Sequence, residues 1–302
     1  MRPPWRRGGA RGVLVLGMHR SGTSAATRLV HGLGPALCDP QDMVRGPWNP
    51  NGHFESRSLM HLDNALLTEM GRTWWYPPPA AGEAYEAVAA RITTSRAQAR
   101  RAFRRVHRTE PWVWKDPRAC VLVPFWRAAL GPGLAAVVVF RNPLEVATSL
   151  QRRHGTSLRF GVALWERYNR LALAHCAGMP VVVSAFEDLV ADPAAWSGQV
   201  EGLLSAAGMA LSPEAGDAEG VVDPELRHSV HGRDDVAEAM PDALALYDAL
   251  LSARGAAAVF VPPAVAAEGP WVSTELDAVG PDAPLAWHPP PGTTATGTEG
   301  RA

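Results

Sequence analysis

The segment Gly17-Met18-His19-Arg20-Ser21-Gly22-Thr23-Ser24 follows directly on the apolar run Gly12-Val13-Leu14-Val15-Leu16. A strand that empties into a glycine-flanked loop, and then into a helix, is the arrangement in which backbone N–H groups wrap a phosphate. Gly17 and Gly22 hold the spacing of a G-x-x-x-x-G-K-[ST] loop and Ser24 holds its hydroxyl, but Thr23 stands where the lysine of such a loop reaches the β/γ-phosphates. The only cation inside the loop is Arg20. The anion cradle is therefore kept and the triphosphate clamp is lost. A helix opening at Ser24 adds its N-terminal dipole to the same site.

Apolar runs bounded by turn signals recur at residues 13–16, 112–114, 135–140 and 181–183. Helical patterns lie between and after them, at 24–33, 58–70, 83–106, 120–130, 143–153, 160–176, 194–207 and 241–253. β-Branched runs that alternate with helices predict an α/β fold, a P-loop-type three-layer sandwich with a central parallel sheet flanked by helices. Asn142-Pro143-Leu144-Glu145 is a strong helix start, with Asn as cap, Pro at the first helical position and Glu able to bond back to the cap. Residues 1–11 read as a flexible N-terminus and 12–263 as the functional domain. Within it, residues 39–110 form a Trp- and Pro-containing insertion around two helices, on the side where acceptors bind in open parallel sheets. From Ala264 the composition shifts to Pro, Gly, Thr and Ala, which reads as a disordered tail over 264–302.

A net charge of −1 gives no global field for nucleic acid or an anionic membrane, so anion recognition has to come from local clusters. No apolar run approaches the roughly 20 residues of a membrane span. The four arginines in residues 1–11 precede an apolar run too short for a signal sequence, and it ends in His19-Arg20 without a small-residue cleavage site. Cys38, Cys120 and Cys176 are odd in number, widely spaced and match no metal or redox motif, so a reduced, cytoplasmic setting is expected. Oligomeric state is not legible.

Lys115 is the only lysine among 29 lysines and arginines. In a chain that otherwise uses arginine, a lone lysine marks either a place where a compact, mobile ammonium is wanted rather than a planar fork or a chance survivor at a surface strand end. A second anion position is suggested by Val137-Val138-Val139-Phe140-Arg141-Asn142-Pro143, where a strand delivers Arg141 at its carboxyl end and Ser149 follows two helical turns later. Two separate anion positions imply a ligand with two anionic ends.

The sequence resembles the sulfotransferases that use 3′-phosphoadenosine 5′-phosphosulfate (PAPS), especially their bacterial branch. The resemblance runs over residues 12–253 and rests on several segments in order: the Gly17 to Ser24 loop, Asn49-Pro50-Asn51-Gly52-His53-Phe54-Glu55, Lys115-Asp116-Pro117-Arg118, Arg141-Asn142-Pro143 with Ser149, Leu164-Trp165-Glu166-Arg167-Tyr168-Asn169, and Phe186-Glu187-Asp188-Leu189. It implies that Arg20, Ser21, Gly22, Thr23 and Ser24 hold the 5′-phosphosulfate and that Arg141 with Ser149 holds the 3′-phosphate. The commoner family loop has Lys where this chain has Arg20. The resemblance also places a catalytic carboxylate at Glu55, with His53 as the alternative base because its ordinary pKa is nearer the working range.

Sulfuryl transfer to an oxygen or nitrogen acceptor moves negative charge onto the bridging oxygen of the departing phosphate while the acceptor loses a proton. Donors at that bridge and a nearby base suffice, with Arg20 and Lys115 as the cations. A sulfuryl group carries less charge than a phosphoryl group, so no metal is expected. The acceptor is read only as a small molecule or glycan, with phenols and natural-product scaffolds equally open.

Other clusters carry weaker readings. Seven arginines between Arg91 and Arg108 form a solvated helix face or steer anions. Trp74-Trp75-Tyr76 either stacks on an acceptor or plugs the insertion against the core. His228 and His231 lack partners at zinc spacing, and Arg227 could close over a nucleotide. Two rival functions stay open: a P-loop kinase using ATP and Mg²⁺, with Asp116 holding the metal, and a non-catalytic nucleotide-binding protein.

Overall fold

The computed structural model describes residues 11–45, 53–80, 83–213 and 230–283. β1 (Gly12–Leu16) leads into α1 (Thr23–Gly32), and the excursion that follows carries α2 (Arg57–Glu69), α3 (Glu83–Ala89) and α4 (Arg96–Val106) before the chain returns as β2 (Trp112–Lys115). Then come α5 (Ala119–Leu130), β3 (Leu134–Phe140), α6 (Pro143–His154), α7 (Leu158–His175), β4 (Val181–Ala185), α8 (Phe186–Ala191) and α9 (Pro193–Ala206). The last described elements are α10 (Arg233–Ala239), α11 (Pro241–Ser252), β5 (Gly255–Ala257) and α12 (Pro270–Val279). The sheet order is β2-β1-β3-β4-β5, with β5 antiparallel at the edge and the other four strands parallel.

Successive side chains of a strand point to opposite faces, and here both faces are covered. Val13, Val15, Val137 and Val139 pack with Leu29 and Val30 of α1 and with Trp196 and Val200 of α9. Leu14, Leu16, Val138 and Phe140 face the larger core, which includes Val121 of α5 and Trp165 of α7. Each fully buried aliphatic side chain contributes about 1.5–3 kcal/mol, and the central strands β1 and β3 are apolar throughout rather than alternating. In register, Leu16 lies beside Val138, and Val15 beside Lys115. The loop after β1, the end of β2 and the exit of β3 therefore emerge at one carboxyl edge.

Three expectations are corrected. The helix read over 83–106 is broken into α3 and α4, because Ser95 caps α4 in a capping box with Gln98, while the Glu69 carboxylate accepts from the Thr93 and Thr94 amides at 2.5 and 2.9 Å. The tail read as disordered from Ala264 instead contains α12, which lies against α7. Arg167 of α7 donates to both carboxylate oxygens of Glu268 at 2.6 Å and to Ser273 at 3.1 Å, and Arg159 donates to Glu275 at 2.8 Å. Residues from 284 onward lie outside the described part. The sheet also has an edge strand not foreseen, β5, whose Gly-Ala-Ala carries no β-branched residue.

In α4 the buried residues are Ala99, Phe103 and Val106, at helical spacing. Its arginines, Arg96, Arg100, Arg101, Arg104 and Arg105, are exposed. Among the described residues, no helix is long and apolar enough to cross a membrane.

Candidate active site

The turn from β1 to α1 is built for close approach of backbone. Gly17 has φ +152°, and a Cβ there would sit 2.2 Å from the Val139 carbonyl oxygen; Gly22 has φ +86°, and its Cβ would sit 2.1 Å from the Phe186 ring. Neither position accepts a side chain. Arg20 between them has φ +72° without being glycine, a left-handed conformation that costs about 1–2 kcal/mol. The Gly17 amide donates to Cys120 Sγ at 3.1 Å, which fixes the loop to α5. α1 starts with no side-chain cap and no acid in its first turn, leaving its positive end to a ligand. Ser21 Oγ is buried at the loop with no hydrogen-bond partner. An orphaned hydroxyl, an uncapped helix and a glycine-shaped cradle together fit a phosphate or sulfate.

The residues expected to form a second anion position lie at the exit of the adjacent strand, β3, and on α6. Asn142 caps α6 by accepting from the Leu144 amide at 2.9 Å, with Pro143 in the first turn as expected. Glu145 does not serve that cap: its buried carboxylate accepts from Arg141 Nε at 2.5 Å and from the His231 amide at 3.1 Å. The Arg141 guanidinium lies 4.9 Å above the Phe186 ring, the same ring that presses on Gly22. The two positions touch directly, since Arg20 Nε donates to Ser149 Oγ at 2.9 Å. Arg20 is an exposed residue, yet desolvation of its charged end, followed by the like charges of Arg153 and Arg141, lowers its pKa to about 10. It stays cationic at neutral pH.

At the end of β2, Lys115 Nζ lies 2.5 Å from Glu55 Oε1. Only 3% of the lysine side chain and 12% of the glutamate side chain are exposed. Burial alone would raise the Glu55 carboxyl, but the Lys115 charge and hydrogen bond, with Arg118 and His53 beside them, hold it below the usual carboxylate range. Phe54, with φ +54°, makes the turn that aims Glu55 at Lys115. His53 is pushed below its ordinary pKa mainly by burial, with Lys115, Arg153 and Arg20 adding to it and Glu55 opposing. It is therefore neutral at pH 7, and its Nε2 is buried without a hydrogen-bond partner. Ser24 Oγ donates to the His53 carbonyl at 3.4 Å, linking the base turn to α1.

Asp116, the metal-holding acid of the kinase reading, is buried and engaged: its Oδ1 accepts from the Arg118 amide at 2.9 Å and from Arg118 Nη1 at 3.0 Å. Arg118 Nε donates to Asn64 at 2.7 Å, so the network ties β2 to α2, which follows Glu55 directly. Among the described residues no group of three or more His, Cys, Asp or Glu side chains is placed to hold a metal ion. His231 lies 3.8 Å from Asp235 at the start of α10. Arg227, His228 and residues 49–52 lie outside the described residues.

Sequence reasoning assigned no role to three participants, His19, His154 and Arg153. His19 in the loop packs its ring 4.8 Å from Trp74 and 6.0 Å from Tyr168. Burial, then the charges of Arg118 and Lys115, drives its pKa well below the ordinary value. Trp74 also faces His154, at 5.4 Å, whereas Trp75 and Tyr76 turn to the C-terminal segment, donating to the Gly280 carbonyl at 3.2 Å and to Asp277 at 2.8 Å. The Trp-Trp-Tyr run thus divides, one ring at the site and two rings as anchors. Arg153, on α6, adds its charge to Arg20, His19 and His53. A helical projection of α6 carries the only sequence signal for it, because Arg153 falls one turn after Ser149.

An α/β sheet whose carboxyl edge brings together a glycine-shaped loop, an arginine-serine contact and a buried lysine-carboxylate pair is the architecture of a transferase class. The sequence matches the sulfotransferase family over residues 12–213, and the chain belongs to that family. Among solved structures it is similar to the sulfotransferase domain from the Synechococcus PCC 7002 olefin synthase, with 19% identity over 91% of this chain and 97% of that one and a TM-score of 0.40. It is also similar to the sulfotransferase domain from the curacin biosynthetic pathway, with 12% identity over 91% of this chain and 99% of that one and a TM-score of 0.40. No curated protein sequence matches the chain.

Proposed function

We propose that the protein transfers a sulfuryl group from PAPS to a hydroxyl or amine of a small-molecule or glycan acceptor in the cytoplasm, without a metal. The observation that carries this reading is the 2.9 Å contact between Arg20 and Ser149, which joins the phosphate loop to the Arg141 position within reach of one doubly anionic nucleotide. The donor, when bound, supplies an activated sulfuryl group and a phosphate leaving group. Ser21, Gly22, Thr23 and Ser24 hold its 5′ end with loop amides and hydroxyls, and Arg141 with Ser149 holds the 3′-phosphate. Arg20 and Lys115 face the oxygen on which charge builds as the S–O bond to phosphate breaks.

Glu55 is the base in this scheme. It is ionised at neutral pH, and it takes the acceptor proton as the acceptor oxygen forms its bond to sulfur. While Lys115 pairs with it, the carboxylate is a weak base; a donor anion that draws the ammonium away strengthens it. His53, neutral and with a free ring nitrogen, is the alternative.

The deciding experiment is a thermal-shift and calorimetric comparison of adenosine 3′,5′-bisphosphate with ATP plus Mg²⁺, followed by transfer assays with sulfur-labelled PAPS in chelator. Binding of the bisphosphate and label transfer in chelator support the proposal. Preference for ATP plus Mg²⁺ supports a kinase, and bisphosphate binding without turnover on any acceptor supports a non-catalytic protein.

A further inference from the structure

The proposed reaction uses Arg20, Arg141 and Ser149 for the donor and Glu55 with Lys115 for the proton and the leaving group. One guanidinium at the site is left over. Arg153 follows Ser149 by four residues on α6, so it faces the same side of the helix but lies about 6 Å further from the Arg141 end. The neighbouring arginines are all engaged: Arg118 by Asp116, Arg141 by Glu145 and Arg20 by Ser149. Half-buried Arg153 has no hydrogen-bond or ion-pair partner among the described residues. The one acid whose charge it feels is Glu55, and Glu55 is held by Lys115.

A guanidinium partly removed from water without a counter-charge is destabilising until an anion arrives. The surroundings define what kind of anion. The next residue, His154, lies 5.4 Å from the Trp74 ring, which in turn lies 4.8 Å from His19. A cation one residue from the His154–Trp74 contact, whose charge reaches His19, His53 and Glu55, suits a ligand that is flat or ring-shaped and carries a carboxylate, which a guanidinium fork grips with two parallel hydrogen bonds.

We infer that Arg153 binds a carboxylate on the acceptor, with the acceptor's ring against Trp74 and its hydroxyl presented to Glu55. This rests on the sulfotransferase reading given above, and it narrows the acceptors to hydroxylated carboxylic acids such as phenolic acids and uronates.

The test is calorimetry on the full chain with adenosine 3′,5′-bisphosphate present, comparing 4-hydroxybenzoate with 4-hydroxybenzamide and a 4-nitrophenyl glucuronide with the matching glucoside. The carboxylate member of at least one pair binds about 10–100-fold more tightly, the range of a charge-assisted bidentate contact. Arg153→Gln erases that preference, Arg153→Lys keeps part of it, and both retain wild-type affinity for the bisphosphate within about twofold. Absence of a carboxylate preference in the wild type overturns the inference. So does an Arg153→Gln variant that loses bisphosphate affinity, since Arg153 would then belong to the donor site. Both of those outcomes leave the sulfotransferase reading standing; a wild type that does not bind the bisphosphate defeats that reading, and this inference with it.

Discussion

Lys115 and Glu55, sixty residues apart in sequence, meet at 2.5 Å at the carboxyl end of β2, where the only lysine of the chain neutralises the carboxylate proposed as the base. The pair is nearly enclosed, so its electrostatics are screened by protein more than by water.

Removing either partner therefore has a distinct signature. Glu55→Gln is expected to lower kcat by about 10²–10⁴-fold, the usual worth of a positioned base. His53→Asn should lower it less than tenfold. With Lys115→Met, burial of Glu55 is no longer opposed by the ammonium, so the carboxyl pKa rises and the acid limb of the pH–rate profile moves to higher pH. Steady-state kinetics from pH 5 to 9 on the three variants checks this, and a larger loss for His53→Asn than for Glu55→Gln transfers the base role to His53.

Donor affinity should follow the contact between the two anion positions. Arg20→Ala and Arg141→Ala each lose a charge-assisted set of hydrogen bonds, expected to weaken adenosine 3′,5′-bisphosphate binding about 10–100-fold. Ser149→Ala removes a neutral hydroxyl and should cost about tenfold or less. Calorimetry reads all three directly. An unchanged affinity in Arg141→Ala would detach the second anion position from the nucleotide.

The parts of this architecture that follow from local periodicity were legible in the sequence. Four apolar runs became the four parallel strands, and the loop from Gly17 to Ser24 declared its conformation through glycines that the folded backbone does need. What escaped depends on contacts across the chain. α12 begins with Gly-Pro and lies in a Pro- and Ala-rich stretch, so composition reads as tail; its helix is held by Arg167, Arg159, Trp75 and Tyr76, none of which advertises a distant partner. Likewise Arg153 looks like one more basic residue at a helix end, where cations are favoured for the dipole alone. The meeting of Glu55 with Lys115 was not foreseen, because a turn after one insertion and the end of a strand share no period, and the two residues were read as a base and a leaving-group cation separately.

The C-terminal clasp is predicted to matter for the acceptor side. Arg167 is almost fully buried and grips Glu268 through two hydrogen bonds, so Arg167→Met leaves a carboxylate without its counter-charge and is expected to cost about 3 kcal/mol. Release of α12 also frees Trp75 and Tyr76 and loosens Trp74, which they flank. Limited proteolysis should cut the variant near residues 260–283 faster than the wild type, and acceptor KM should rise more than bisphosphate Kd. Equal effects on both ligands would show that the clasp supports the whole fold and not the acceptor wall.

Acid stability should trace to a histidine far from the chemistry. His107 is buried, stacked on Phe103 at 4.6 Å, and both of its ring nitrogens lack hydrogen-bond partners. Desolvation lowers its pKa to about 3, against an ordinary value near 6.5 in the unfolded chain. Between those values the unfolded state binds the extra proton, so stability is fully present above about pH 6.5 and falls as pH drops, by up to about 1.4 kcal/mol per unit. His175, lowered to about 4 chiefly by burial, adds to the same trend, while Asp63, raised well above the ordinary range first by burial and then by Asp116, works in the opposite direction. The comparison of wild type with His107→Phe cancels these other groups. The phenyl ring keeps the stack without the two orphaned nitrogens, so the variant should match or exceed wild-type stability at pH 7.5, and its advantage in denaturant melts should widen steadily from pH 6.5 down to 4. A constant difference across that range would mean that His107 finds a way to ionise inside the folded protein.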